Sequence, residues 1–225
     1  MHKDIKGFTL SEVLITLVII GILAVITIPT LLQNIWNSQQ KSQFKKAYTT
    51  MYNAFIAVKA DLGYVPDCYY DYSGGAHTSE CLTIFSPTLK NHLNIIKTCV
   101  NNSLANGCIP NFVGLEKVYQ EQNSALSDSD ALTMAGPYYN TSFLQTGVPT
   151  IVLGDGIYIM SVSNWNSSGD YIIDINGQKP PNKWGYDIFQ MQMRSDGDKI
   201  TMTGSSSWYE TGGKTFSQML IYAFQ

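Results

Sequence analysis

Side chains able to do chemistry are sparse in this chain, and where they fall narrows what they can do. There are 3 histidines, 4 cysteines and 17 carboxylates in 225 residues. No G-x-S-x-G elbow presents a nucleophile, and neither an H-E-x-x-H zinc pair nor a Walker phosphate loop occurs. His77 sits in a glycine-rich stretch and His92 on a short predicted helix. With no nucleophile, base and orienting group in a recognisable spacing, the expectation is a protein that is not an enzyme. The cysteines, Cys68, Cys81, Cys99 and Cys108, lack the close pairs of a zinc site. An even count in an exported segment reads as two disulfides. Sequence-local pairing, Cys68 with Cys81 and Cys99 with Cys108, is the simplest of the three possible connectivities. One loop is dense in oxygen donors and turn formers: Asp174-x-Asn176-Gly177-x-Lys179-x-Pro181-Asn182-x-x-Gly185-x-Asp187-x-Phe189. Asp174, Asn176 and Asp187 are candidate calcium ligands there, because oxygen ligands on a tight loop suit that ion. No glutamate closes a twelve-residue calcium loop, so the block reads first as structural, with calcium the alternative and no other cofactor expected.

The most informative carboxylate is Glu12. It heads the run Val13 to Leu32, VLITLVIIGILAVITIPTLL, and no ionisable side chain occurs between Val13 and Gln40; Lys41 is the next charge. Twenty helical residues span about 30 Å, the hydrocarbon thickness of a bilayer. A core helix in so small a domain would be polar on one side, so the run reads as a membrane helix. A secretory signal would have a shorter apolar core with a small-x-small cleavage site behind it. Here the run passes into a polar helical segment with no such site. An ionised carboxylate near the bilayer centre costs about 2.5–3.5 kcal/mol. Glu12 therefore needs a partner, a polar location or a function.

The residues in front of it supply a context. A short basic leader with Lys3 and Lys6, then Gly7-Phe8-Thr9-Leu10-Ser11-Glu12, then the apolar run, stand in the register of the prepilin processing motif. At these residues the chain resembles the type IV pilin and type II secretion pseudopilin superfamily. The resemblance implies that a membrane-embedded prepilin peptidase cuts between Gly7 and Phe8 and methylates the new Phe8 amine. It implies that Glu12, fifth in the mature chain, pairs with the terminal amine of a neighbouring subunit, a counter-charge that offsets the cost of burial. It implies assembly with like or related pilin subunits in a helical filament. The implied location is the inner membrane, spanned once, with the C-terminal domain in the periplasm or outside the cell. Gly21 and Pro29 weaken the helix inside the run. Membrane helices tolerate both, and in assembled filaments of this family the helix is often unwound between such positions. The lysines on the two sides, Lys3 and Lys6 with Asp4 against Lys41, Lys45 and Lys46, do not orient the span by count. The processing motif does, by fixing the leader in the cytoplasm.

The elements that must carry these residues follow from periodicity. Residues 1–7 form the leader and 8–34 the transmembrane helix. Residues 35–62 continue it as an amphipathic helix, with Phe44, Ala47, Met51, Phe55, Val58 and Leu62 on one face at spacings of three and four. Gly63 and Pro66 end it. Residues 63–147 read as an irregular, partly helical region holding the cysteines. In it Ser86-Pro87 looks like an N-cap and first turn, and Phe85, Leu89, Leu93 and Ile96 suit a helix running toward Cys99. A second short helix fits Leu115 to Leu126. Residues 148–225 read as an antiparallel sheet region, with strands at Thr150–Leu153, Ile157–Val162, Tyr171–Ile175, Ile188–Met193 and Lys199–Thr203 parted by glycine and Asn/Asp turns. The expected class is α+β: a long N-terminal helix, half transmembrane, packed on a small antiparallel sheet, which is the ladle-like pilin architecture. The oxygen-rich block is also similar to one that recurs in prepilin-type proteins, and it favours the pseudopilins slightly.

Two kinds of function fit. The first is a structural subunit of a type IV filament, either a type II secretion pseudopilus or a type IV pilus. The second is a membrane-anchored binding module, a minor subunit at a filament tip that holds DNA or a secreted substrate. Nucleic acid is not the expected partner. Charged residues are 14% of the chain, net charge is −3, and no basic stripe interrupts residues 63–225. Tyr69, Tyr70 and Tyr72, with the pair Tyr138-Tyr139, read as packing beneath loops before they read as a contact surface.

Overall fold

The chain forms two units, Met1–Gln40 and Lys41–Gln225. A computed structural model describes residues 9–64, 81–136, 139–147, 149–161, 170–196, 199–204 and 213–225. The first helix, α1 (Leu10–Leu62), starts in the first unit and ends in the second. In the first unit its apolar side chains, Leu14, Val18, Ile22 and Ile26 among them, lie exposed. The helix is long and apolar enough to cross a membrane, and nothing among the described residues buries that stretch. It runs helical through Gly21 and Pro29. Beside the proline, which has no N–H to give, the Thr27 and Thr30 hydroxyls donate to the Leu23 and Ile26 carbonyls at 2.8 and 3.0 Å.

In the second unit the amphipathic face is buried as the spacing predicts. Phe44, Ala47, Met51, Phe55 and Val58 are each 3% exposed or less. Gly63, at φ +76°, donates its N–H to the Lys59 carbonyl at 2.9 Å and closes α1. These side chains cover one face of a six-stranded antiparallel sheet whose order in space is its order in sequence. The strands are β1 (Ile95–Cys99), β2 (Thr150–Leu153), β3 (Tyr158–Ser161), β4 (Asp170–Asp174), β5 (Ile188–Asp196) and β6 (Lys199–Thr203). Ile159 pairs with Ile173, Ile173 with Phe189, and Met193 with Met202. All five belong to the core that holds Phe44 and Met51. Alternate residues face the other way. Val152, Tyr158, Met160, Ile172 and Ile188 enter a second core with Phe112, Leu115, Val118 and Leu144. A layer of short helices covers this outer face: α3 (Leu115–Gln122) and α4 (Asp128–Ala135), followed by a π-helical turn at Phe143–Gly147. Burial on both faces explains why the strands read as apolar-rich runs more than as clean alternation.

The α+β class and the long apolar helix ahead of an antiparallel sheet stand as expected. Three local expectations do not. Residues 95–99 pair with β2 as the edge strand β1, although the Phe85-Leu89-Leu93-Ile96 spacing predicts helix there. The helix α2 stops at Asn91 (Ser86–Asn91), because His92 and Leu93 close it with N–H groups bonded three residues back. Ser86 is not its N-cap. A π-helical turn at Cys81–Phe85 feeds straight into α2, and Phe85, in helical conformation, holds the cap position. The region 148–225 also ends in a helix, α5 (Phe216–Phe224), opened by a capping box between Thr215 and Gln218. It packs Phe216, Met219 and Ala223 into the core of α1, with the Phe44 ring 5.4 Å from that of Phe216.

Candidate functional site

The N-terminal group is built on one turn. Thr9 precedes α1 and Glu12 is its third residue, the spacing of a capping box. The Glu12 carboxylate oxygen Oε2 accepts from the Thr9 backbone N–H and from the Thr9 hydroxyl, both at 2.8 Å. The Glu12 N–H donates to Thr9 Oγ1 at 3.3 Å. The charge sits where exposed N–H groups and the helix dipole favour an anion. Glu12 thus has a local partner in the single chain. The spacing Thr9-x-x-Glu12 is the signal in the sequence that marks this local role, which the processing motif alone does not convey. Gly7 and Phe8 lie outside the described residues, as do His77, Cys68, Tyr69, Tyr70, Tyr72 and Tyr138.

The oxygen-rich block folds into a knot between β4 and β5. Asp174 is fully buried and Asp187 is 1% exposed. Asp174 Oδ1 accepts from the Asn176 and Gly177 backbone N–H groups at 2.9 and 2.7 Å, an Asx-type turn. Gly177 sits at φ +68°, and a Cβ there would stand 2.5 Å from the Gly156 carbonyl oxygen, so only glycine fits. Asp187 uses both oxygens. Oδ1 accepts from the Lys183 N–H at 2.6 Å, and Oδ2 accepts from the Asn182 N–H at 2.7 Å and the Asn176 amide at 3.2 Å. The strand-bridging bond from Ile175 N–H to the Asp187 carbonyl, 2.9 Å, closes the loop. Lys183 reaches from the knot to Glu121 on α3. Its ammonium also stands 4.8 Å from the Tyr186 ring centroid.

Burial pushes the Asp174 carboxyl well above the usual carboxylate range, and the neighbouring Asp187 charge adds to it against the two backbone donors. Burial also raises Asp187, opposed by the Lys183, Asn182 and Asn176 donors. With more donors, Asp187 carries the negative charge of the pair more readily, and the proton belongs on Asp174. Two buried oxygens in the knot, Asp174 Oδ2 and Asn176 Oδ1, accept nothing. These are the two positions left for a cation. The other carboxylate oxygens already face backbone N–H groups, which is how a structural loop uses them. Among the described residues no three His, Cys, Asp or Glu side chains come together as a metal-binding group.

Cys99 and Cys108 form a disulfide with Cα atoms 6.3 Å apart. It lies in the outer core, and the loop it closes is also held by the Lys97 ammonium donating to the Asn106 and Gly107 carbonyls at 2.7 and 3.2 Å. Cys68 and the Cys81 side chain fall outside what is described. His92 meets Asp61 at 2.7 Å and ties the end of α2 to the last turn of α1. Tyr139 is buried against Trp184, ring centroids 5.4 Å apart, so it is packing and not a contact surface.

Compared with known proteins, residues 2–28 match the family model described as the prokaryotic N-terminal methylation motif. No curated protein and no solved structure matches the chain.

Proposed function

For a chain that carries the N-terminal signature of the type IV pilins and pseudopilins, we propose the role of a structural subunit in a type IV filament, a type II secretion pseudopilus or a type IV pilus. The observation that carries this is the matched motif standing in register with a charge-free apolar helix that nothing among the described residues covers. Prepilin peptidase removes residues 1–7 and methylates Phe8. The apolar part of α1 then anchors the subunit in the inner membrane, with the sheet domain on the far side. Assembly transfers the same surface into a bundle of like helices, where packing replaces lipid contact. Glu12 exchanges its intramolecular cap on Thr9 for the amine of a neighbouring Phe8. Both states give the carboxylate a hydrogen-bonded partner, so the exchange avoids an unpaired charge in an apolar setting. Gly21 and Pro29 are where the helix yields when neighbours pack on it. Nothing in this role requires catalysis.

The test is intact-mass measurement of the membrane-extracted protein from cells with and without the peptidase. Loss of residues 1–7 with gain of one methyl group, only where the peptidase is present, is the expected result. An uncleaved chain in both strains would refute filament assembly and leave a membrane-anchored binding module. The same spectrum without reductant reads the state of the four cysteines.

A further inference from the structure

Three lysines gather on the aromatic face of α5. The Lys41 and Lys214 ammonium groups stand 4.2 and 4.5 Å from the centroid of one ring, Tyr222. Lys45 stands 5.3 Å from the Phe224 ring, which packs edge-on against Tyr48 at 5.4 Å. The rings hold the ammonium groups by cation–π attraction, and they fix two like charges within about 9 Å of each other. Among the described residues no carboxylate forms an ion pair with any of the three, whereas the adjacent Lys46 is engaged by Asp155 at 3.3 Å. Clustered cations cost free energy until an anion joins them. The two apolar side chains beside them point outward, Ile221 58% and Phe224 51% exposed, one helical turn apart on α5. Exposed apolar tips ringed by lysines are the composition of a surface that enters the headgroup layer of a membrane.

Chain connectivity brings a membrane to this patch. Lys41 is the first ionisable residue after the charge-free run and lies five positions beyond Trp36. Five helical residues span about 7.5 Å, and tryptophan favours the headgroup level. Lysine stems are long enough to reach back to that level. We propose that Lys41, Lys45 and Lys214, with Ile221 and Phe224, form a docking surface for anionic phospholipid headgroups of the membrane that anchors α1. Cations take the phosphates while the apolar tips enter the acyl boundary. The proposal rests on the membrane-anchor reading and does not depend on filament assembly.

The experiment places the photoreactive residue p-benzoylphenylalanine at Ile221 in the full chain. The protein is reconstituted in vesicles of phosphatidylcholine alone or mixed with phosphatidylglycerol. A second chain carries the same residue at Ile22, within the apolar run. Ile22 adducts should form with lipid in both vesicles. Ile221 adducts should form mainly in the anionic vesicles and fall roughly fivefold for each lysine charge removed by Lys41→Gln, Lys45→Gln and Lys214→Gln. The triple Lys→Arg variant keeps charge and ring contact and should restore them. Equal Ile221 yield in the two vesicles, insensitivity to the lysines, or a photoproduct joining two copies of the chain would overturn the proposal while Ile22 still reports a sound anchor. Loss of lipid adducts at both positions would overturn the anchor and the patch together.

Discussion

Asp174 and Asp187 look alike in sequence but should respond to the same substitution in opposite ways. Asp187 accepts with both oxygens, from two backbone N–H groups and one amide. Asp187→Asn turns an NH2 group toward donors and leaves at least one buried donor without an acceptor, a loss of about 1–3 kcal/mol. For a domain of this size that lowers Tm by on the order of 5 °C. Asp174 accepts only through Oδ1, and its Oδ2 has no donor. Asp174→Asn keeps the used oxygen, so below the ordinary carboxylate range it should fall within about 1 kcal/mol of the parent. Its effect then depends on pH. The folded state holds a proton on Asp174 that the unfolded chain releases. The stability from that proton is therefore complete below the ordinary carboxylate range and disappears as pH rises through the raised pKa. Asn cannot ionise, so the variant should gain on the parent as pH rises from the ordinary carboxylate range through the raised pKa. The assay is thermal unfolding of the full chain in detergent, followed by circular dichroism at a series of pH values in EDTA. Equal destabilisation by both variants, or an Asp174→Asn difference that does not grow with pH, would refute the assignment. Calcium is the competing proposal for the same oxygens. It predicts that added calcium raises the parent's Tm, that EDTA reverses the rise, and that Asp174→Asn abolishes it.

Three further outcomes are expected. Glu12→Ala should leave cleavage by the peptidase intact in the mass spectrum while filament yield, read by electron microscopy, collapses; normal filaments would remove the carboxylate from assembly. Cys99→Ser with Cys108→Ser opens a loop with a sequence separation of 9, which loop-closure entropy values at about 2–3 kcal/mol. Denaturant titration should show that loss, while the membrane anchor is unaffected. Phe44→Ala removes a ring 5.3 Å from Phe189 and 5.4 Å from Phe216 in a fully closed site. A loss of about 3–5 kcal/mol is expected, with limited proteolysis cutting earlier in the segment around α5.

Much of the architecture is written in local pattern. The apolar run, its charge-free length and the three-and-four spacing from Phe44 to Val58 define α1 without reference to anything else in the chain. Two sheet strands, Thr150–Leu153 and Lys199–Thr203, have the bounds their composition predicts. The sequence stretch 95–99 failed this test because a short apolar run fits either period. Its partner in β2 lies some fifty residues on, and only pairing with that partner decides between strand and helix. The helix α5 carried a legible start in Thr215-x-x-Gln218, but its run is apolar nearly all round, and no period separates it from a buried strand.

The candidate site divides in the same way. The motif at Gly7 to Glu12 and the capping role of Glu12 are local, held within one turn of helix, so the order of residues determines them. The division of labour between Asp174 and Asp187 is not local. It depends on which oxygens meet backbone N–H groups across a loop of thirteen positions, and on burial of both carboxyls. The lysine–aromatic patch is the extreme case. Lys41 and Lys45 belong to α1, while Lys214, Tyr222 and Phe224 lie at the far end of the chain. Sequence fixes their types, but only the docking of α5 on α1 sets charges and rings within reach of one another.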